Sequence, residues 1–299
     1  MTAIGLLLIG VFVLSFQDSM VKYLSGDTSY WQFQTLRSLG NIAIAIMLAK
    51  MSGGLSLLRP RNAPAVYLRA GFLTITMFFF FAGAPYLSVA QMAAGLYTYP
   101  IFVTMFAAPV LGERIGVWRA GAVLLGAAGA AVVLSPWDAG FRAVQLLPLA
   151  AGFFYACNVL TLRRACRHES PLALALAVAV LMFASGLLGA VSLSTISVPA
   201  EIVQANPFLA VGWPELTLFV VGFALLASIL NLAGNISLSR AYQTADASML
   251  APLDFIYLLY AAVWSKLLFD QWPSSEAIVG MVLIASAGAL TVWREHVRK

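Results

Sequence analysis

Charge is what this sequence has least of. Only 10% of its residues are Asp, Glu, Lys or Arg, where a soluble domain carries about a quarter to cover its surface. A water-covered globule is thereby excluded. The 17 basic residues against 12 acidic ones sit in short connections, which argues against a nucleic-acid surface. Cysteine is nearly absent. Cys157 and Cys166 fall in one apolar segment, so neither a disulfide framework nor a thiolate metal site is indicated. The two histidines, His168 and His296, lie beside basic residues at the ends of apolar runs and receive no role. No nucleophile constellation or phosphate loop is present, and the glycine-rich segments follow no strand. The residues make no case for an enzyme, a cofactor or a metal. The start, Met1 to Gly5, lacks a basic stretch, and no small-residue cleavage site follows. The first apolar run is therefore expected to be a retained helix rather than a signal peptide.

Apolar residues are abundant, at 62%, with a mean hydropathy of +0.91. Such a surplus must face lipid. A helix needs about 20 apolar residues to cross a bilayer, and ten such runs fit: 3–25, 30–50, 66–85, 88–111, 117–134, 146–166, 172–193, 216–239, 245–268 and 275–294. The runs are continuous and do not alternate, which favours helices over a barrel. The one long connection, 194–215, holds Pro199, Pro207 and the Trp213–Pro214 pair, and its tryptophan suits the headgroup zone. With ten crossings, 13 of the 17 lysines and arginines fall on one side; Lys22, Arg37, Arg142 and Lys266 fall on the other. The positive-inside rule then puts both termini in the cytoplasm.

Two stretches repeat. Ala84 to Leu134 and Ala241 to Trp293 align at an offset of 157 residues, pairing Met92 with Met249, Tyr97 with Asp254 and Glu113 with Asp270. A two-residue insertion at Trp272–Pro273 then pairs Gly121 with Gly280 and Gly129 with Gly288. A weaker match links helices 1 and 6, Gly10 with Gly152. The expected fold is an all-α integral membrane protein of two inverted five-helix repeats, residues 1–140 and 141–299. Five is odd, so the second unit enters the membrane upside down. Inverted repeats are a device of secondary transporters, with the solute held near the midplane.

Each repeat has an Ala-rich start, an apolar helix, an acid at its end (Gly112–Glu113, and Phe269–Asp270 in place of Gly-Glu) and a Gly-rich closing helix. The chain so resembles the EamA-type drug/metabolite transporter superfamily over nearly its whole length. The opening FQDSMVKYLSGDTSYWQFQTLRSL resembles members that move amino acids and related metabolites, including aromatic amino acid exporters. The resemblance implies a ten-helix carrier that exports an amino acid.

Charges inside a bilayer cost at least about 2.5–3.5 kcal/mol each, so those that occur need partners or a task. Asp18 and Arg37 should lie at matching depth on helices 1 and 2. They are expected either as an ion pair, with Lys22 as the other possible partner of Asp18, or as a grip for a solute carboxylate. Asp254 near the centre of helix 9 has no basic residue within two turns; it could bind an ammonium, carry a coupling proton or form an interhelical hydrogen bond. Tyr257 shares its face, and Tyr97 with Tyr99 sits at the equivalent place in the first repeat. Ser228, Asn231, Asn235 and Ser239 form one face of helix 8; with Asn158 they line either a cavity or an interhelical contact. Gln91 and Thr98 form a shorter stripe, and Gln34 lies one turn before Arg37. The solute site is expected among Asp254, Tyr257, Asn231, Asn235, Asn158, Tyr97, Tyr99, Gln34, Arg37 and Asp18. The small residues of helices 5 and 10 should pack together, and Pro85, Pro100, Pro109 and Pro252 offer hinges. The partners expected are the bilayer and a zwitterionic or amphiphilic solute, moved with or without a proton by a monomer or homodimer in a bacterial inner membrane. Uptake of a nucleoside-like or sulfonium metabolite is the alternative cargo; an intramembrane enzyme or assembly protein is the alternative class.

Overall fold

A computed structural model of the chain describes residues 3–111, 117–135, 137, 140–244, 250 and 253–297. Glu113, Met249 and Pro252 lie outside these, as do the side chains of Ser239 and His296. The described residues are helical, with no strand among them. The long elements are α1 (Ala3–Leu24), α2 (Tyr30–Ser52), α3 (Ala63–Ala82), α4 (Val89–Leu96), α5 (Tyr99–Leu111), α6 (Val117–Leu134), α7 (Leu147–Ala165) and α8 (Pro171–Thr195). Two short helices follow, α9 (Ala200–Ala205) and α10 (Pro207–Ala210), then α11 (Leu218–Thr244), α12 (Ile256–Phe269) and α13 (Ser275–Val297). By length and composition, six candidate spans are apolar enough to cross a membrane; three shorter apolar helices lie at 120–134, 256–269 and 275–290.

Local chemistry sets the helix ends. The Ser29 hydroxyl accepts the Gln32 amide at the start of α2. Ser88 and Gln91 cap α4 reciprocally, so Gln91 is a helix cap and not part of a cavity stripe. The expected helix 4 is two helices. Pro100 has no N–H for the Leu96 carbonyl, and its ring crowds that carbonyl; α4 ends at Leu96 and α5 begins at Tyr99. The chain bridges the gap through Thr98, whose N–H and hydroxyl both bond Gly95 O.

The surface is inverted relative to a soluble protein. Leu218 is 91% exposed, and Leu124, Leu188, Leu267 and Val282 also face outward. Gln17, Gln34, Arg37, Ser38, Asn158 and Ser228 are buried. Apolar outside and polar inside is the arrangement a bilayer selects.

The most extensive pairings are α6 with α13, α1 with α11, α3 with α7 and α2 with α8. Small residues allow the closest approaches. A Cβ on Gly129 would stand 2.7 Å from Gly280 O, and one on Gly280 2.6 Å from Gly129 O. The expected packing of these small-residue helices is therefore present, though it is Gly129 that meets Gly280, and Gly121 touches nothing across the seam. Gly10 of α1 likewise lies against Gly234 of α11. Helix directions follow from residue pairs. Gly126 meets Ala287 while Gly129 meets Gly280, so α6 and α13 run antiparallel. Phe12 meets Tyr260, Phe16 meets Trp264 and Lys22 lies over Phe269, so α1 and α12 run parallel.

The connection 196–217 folds over the start of α2. Ser29 donates to Gly212 O, Trp31 Nε1 to Leu209 O, Gln32 to Pro214 O and Tyr86 to Ala205 O. At the opposite ends, Glu169 accepts the Arg61 and Asn62 amides just before α3, tying the α7–α8 connection to the start of that helix.

Candidate functional site

Two helix interruptions meet at the centre. One is the α4–α5 gap at Tyr97 and Thr98; the other is the turn at Phe255, which separates the helical residues Leu253 and Asp254 from α12. They bring four of the expected residues together. The Tyr97 ring stacks on Tyr257, with centroids 5.1 Å apart and planes at 23°. It also meets Phe255 at 5.5 Å and Tyr99 at 6.1 Å. Tyr99 in turn sets its edge against Tyr155 of α7 at 4.9 Å. The carboxyl of Asp254 is half-buried, and its field reaches the hydroxyls of Tyr97, Tyr99 and Tyr155. Tyr155 and Phe255 were not among the expected residues. The signal for Tyr155 was available: it precedes Asn158 by one helical turn. A narrow crevice leads from Tyr97 between α5, α6 and α13, lined by Pro100, Thr104, Gly126, Ile284 and Gly288.

Asp18 joins the cluster from α1. Its carboxylate accepts the Tyr257 hydroxyl at 2.5 Å, and one turn away Ser15 Oγ accepts Trp264 Nε1 at 3.2 Å. The expected ion pairs are not formed among the described residues. Lys22 donates instead to Ala84 O at 3.1 Å and Leu87 O at 2.6 Å, binding the turn after α3. The Asp18 charge reaches Arg37 only through space. Arg37 is 2% exposed. It donates to Gln34 Oε1 at 2.8 Å and lies over the rings of Phe33 and Phe81 at 5.7 and 5.5 Å.

The helix 8 stripe divides. Ser228 Oγ bonds Arg37 O and Ala224 O, closing the contact of α11 with α2 at Gly40. Asn231 donates to Gln17 Oε1 on α1 at 3.1 Å. Asn235 is exposed and donates to the Asn231 carbonyl of its own helix. The stripe is thus mainly an interhelical seam. Asn158 is buried on α7, and its side-chain oxygen has no partner among the described residues. Thr98 bonds the Gly95 carbonyl of α4 from the gap, and Thr161 bonds the Cys157 carbonyl of its own helix. Among the described residues no group of His, Cys, Asp and Glu could hold a metal.

Apolar helices around a polar, aromatic centre fit a multi-pass membrane protein. Residues 1–135 match the EamA-like transporter family. By that match, over its first 135 residues, and by the relatives it resembles, the chain bears a likeness to the drug/metabolite transporter superfamily. It is 27% identical over 205 residues to a riboflavin transporter of Vibrio cholerae, covering 68% of this chain but only 62% of that protein. It is 24% identical over 281 residues to the pseudopaline exporter CntI of Pseudomonas aeruginosa, covering 92% and 90% of the two chains. An S-adenosylmethionine uptake transporter of Rickettsia bellii is 24% identical over 300 residues, covering 98% and 94%. One solved crystal structure shares the fold, with a TM-score of 0.56 over 99% of both chains at 20% identity. These relatives are named as transporters.

Proposed function

We propose that the chain is a secondary transporter that carries a small solute with a flat ring and a polar or charged end, by alternating access at the centre of the bundle. The frame is ten crossings in two inverted repeats, residues 1–140 and 141–299, with both termini cytoplasmic. Support comes from the helix directions, since crossings one and nine must run parallel and crossings five and ten antiparallel. It also comes from the pairings. Exchanging the halves turns α1–α11 into α7–α3, and maps α2–α8 and α6–α13 onto themselves.

The observation that carries the solute class is the tyrosine cluster at the two helix interruptions. Broken helices at a repeat interface are where transporters of this design hold their solutes, and stacked rings offer a slot for another ring. An aromatic amino acid leaving a bacterial cell through its inner membrane is the first candidate. The relatives favour a second: riboflavin and S-adenosylmethionine, named as their cargoes, both carry planar heteroaromatic rings. A thermal-shift screen decides, because a solute that binds the folded state raises its apparent stability. Ring-bearing metabolites should raise Tm and ringless ones of similar charge should not. Equal response to leucine, lysine and the ring-bearing set would remove the ring from the proposal.

A further inference from the structure

We propose that Arg37, Gln34 and Ser38 form a receptor for the carboxylate of the transported solute. This rests on the transporter reading and adds a second recognition element to the tyrosine cluster. The three residues occupy positions i, i+3 and i+4 of α2 and so share a face. All are buried. Among the described residues each keeps one polar atom without a partner: Arg37 Nε, Gln34 Nε2 and Ser38 Oγ.

The character of those atoms selects the ligand. Arginine only donates hydrogen bonds, so the Gln34 atom facing Arg37 must be its oxygen, which leaves the amide nitrogen as the free end. The unpartnered set is therefore N–H, N–H and O–H: three donors beside a fixed positive charge. Buried donors of this kind are rarely left unmatched. The surroundings hold the guanidinium without neutralising it. The faces of Phe33 and Phe81 attract the cation, the Met182 sulfur lies 3.9 Å away, and Asp18, whose charge reaches it, is bonded to Tyr257. A planar fork with free donors matches a carboxylate better than a point cation does. Asp18 links the two elements: its carboxylate accepts the Tyr257 hydroxyl, and its charge reaches Arg37 through space. One solute can then place its ring among the tyrosines and its carboxylate at α2.

The test is equilibrium binding of labelled phenylacetate and phenethylamine to the purified full-length chain, which does not depend on transport. Wild type should bind phenylacetate. Arg37→Gln should weaken it by about 10- to 100-fold, the range of one charged hydrogen-bonded contact, and Arg37→Lys should recover part of the loss. Phenethylamine should change by less than about twofold in either variant. Ser38→Ala, a small change that tests the idea even if Arg37→Gln does not fold, should weaken phenylacetate by about threefold or more. Asp18→Asn removes a competing anion and should tighten phenylacetate or leave it unchanged. The proposal is overturned if Arg37→Gln and Ser38→Ala leave phenylacetate binding intact, or weaken both probes equally. Loss of phenylacetate binding in Asp18→Asn would also overturn it, assigning the guanidinium to an internal partner. Binding as proposed, with no solute moved in vesicles, would instead count against transport and leave the receptor standing.

Discussion

The two proposed halves of this molecule meet in two very different ways. Along α6 and α13 the contact is backbone against backbone, with Gly129 and Gly280 each leaving no room for a Cβ. At the centre it is side chain against side chain: Tyr97 on Tyr257 and Phe255, and Tyr257 on Asp18. The first contact has nothing to rearrange, because close-packed small residues have no alternative rotamers. The second is made of long side chains whose partners can be exchanged for those of a solute. The account therefore assigns the glycine seam to holding the halves together and the tyrosine centre to recognition.

The largest expected effect comes from breaking the seam. Gly129→Leu puts a branched side chain against a carbonyl oxygen that cannot move away, at a cost on the order of 3 kcal/mol. Monodisperse protein on size exclusion after mild heating should fall sharply. The centre should behave oppositely. Tyr257→Phe keeps the ring stack and deletes one hydrogen bond to a carboxylate, so transport at low solute should drop by about 10- to 100-fold while the melting profile stays close to wild type. A parallel collapse of both readouts in either variant would erase the distinction.

A smaller effect separates two asparagines of one stripe. Asn231→Ala removes the link to Gln17 and should lower stability by about 1 kcal/mol. Asn235→Ala, on an exposed side chain bonded to its own helix, should stay within about 0.5 kcal/mol. The smallest concerns Asp270, past the end of α12. The Lys266 ammonium in contact with it holds its carboxyl below the ordinary carboxylate range. Its contribution is present at neutral pH and fades as pH falls through that lowered value. The pair is exposed, so Asp270→Asn should leave Tm at pH 7 unchanged.

Much of this was legible in the sequence because lipid imposes simple rules. Apolar length announced the helices, and small residues in α6 and α13 announced their close approach. Pro100 announced a weak point in helix 4, though not that Tyr97 and Thr98 would leave the helix altogether. That depends on what fills the gap, which is a tertiary matter. The partner of Asp18 was misjudged for the same reason. Arg37 and Lys22 were the obvious counter-charges by depth, yet Lys22 found two backbone carbonyls and Arg37 found aromatic faces and an amide. A phenol from α12, remote in sequence, took the carboxylate. Asn235 fell on the right helical face by spacing, but its side chain is exposed and turns back to the Asn231 carbonyl, while Gly234 beside it makes the contact with α1.

The most direct test of the central claim is counterflow in proteoliposomes, using ring-bearing and ringless labelled metabolites with wild type, Tyr257→Phe and Tyr97→Ala. The account predicts that wild type accumulates at least one ring-bearing solute and that both variants, intact by size exclusion, lose most of that accumulation. Accumulation of the ring-bearing solute at undiminished rate in both variants would contradict it.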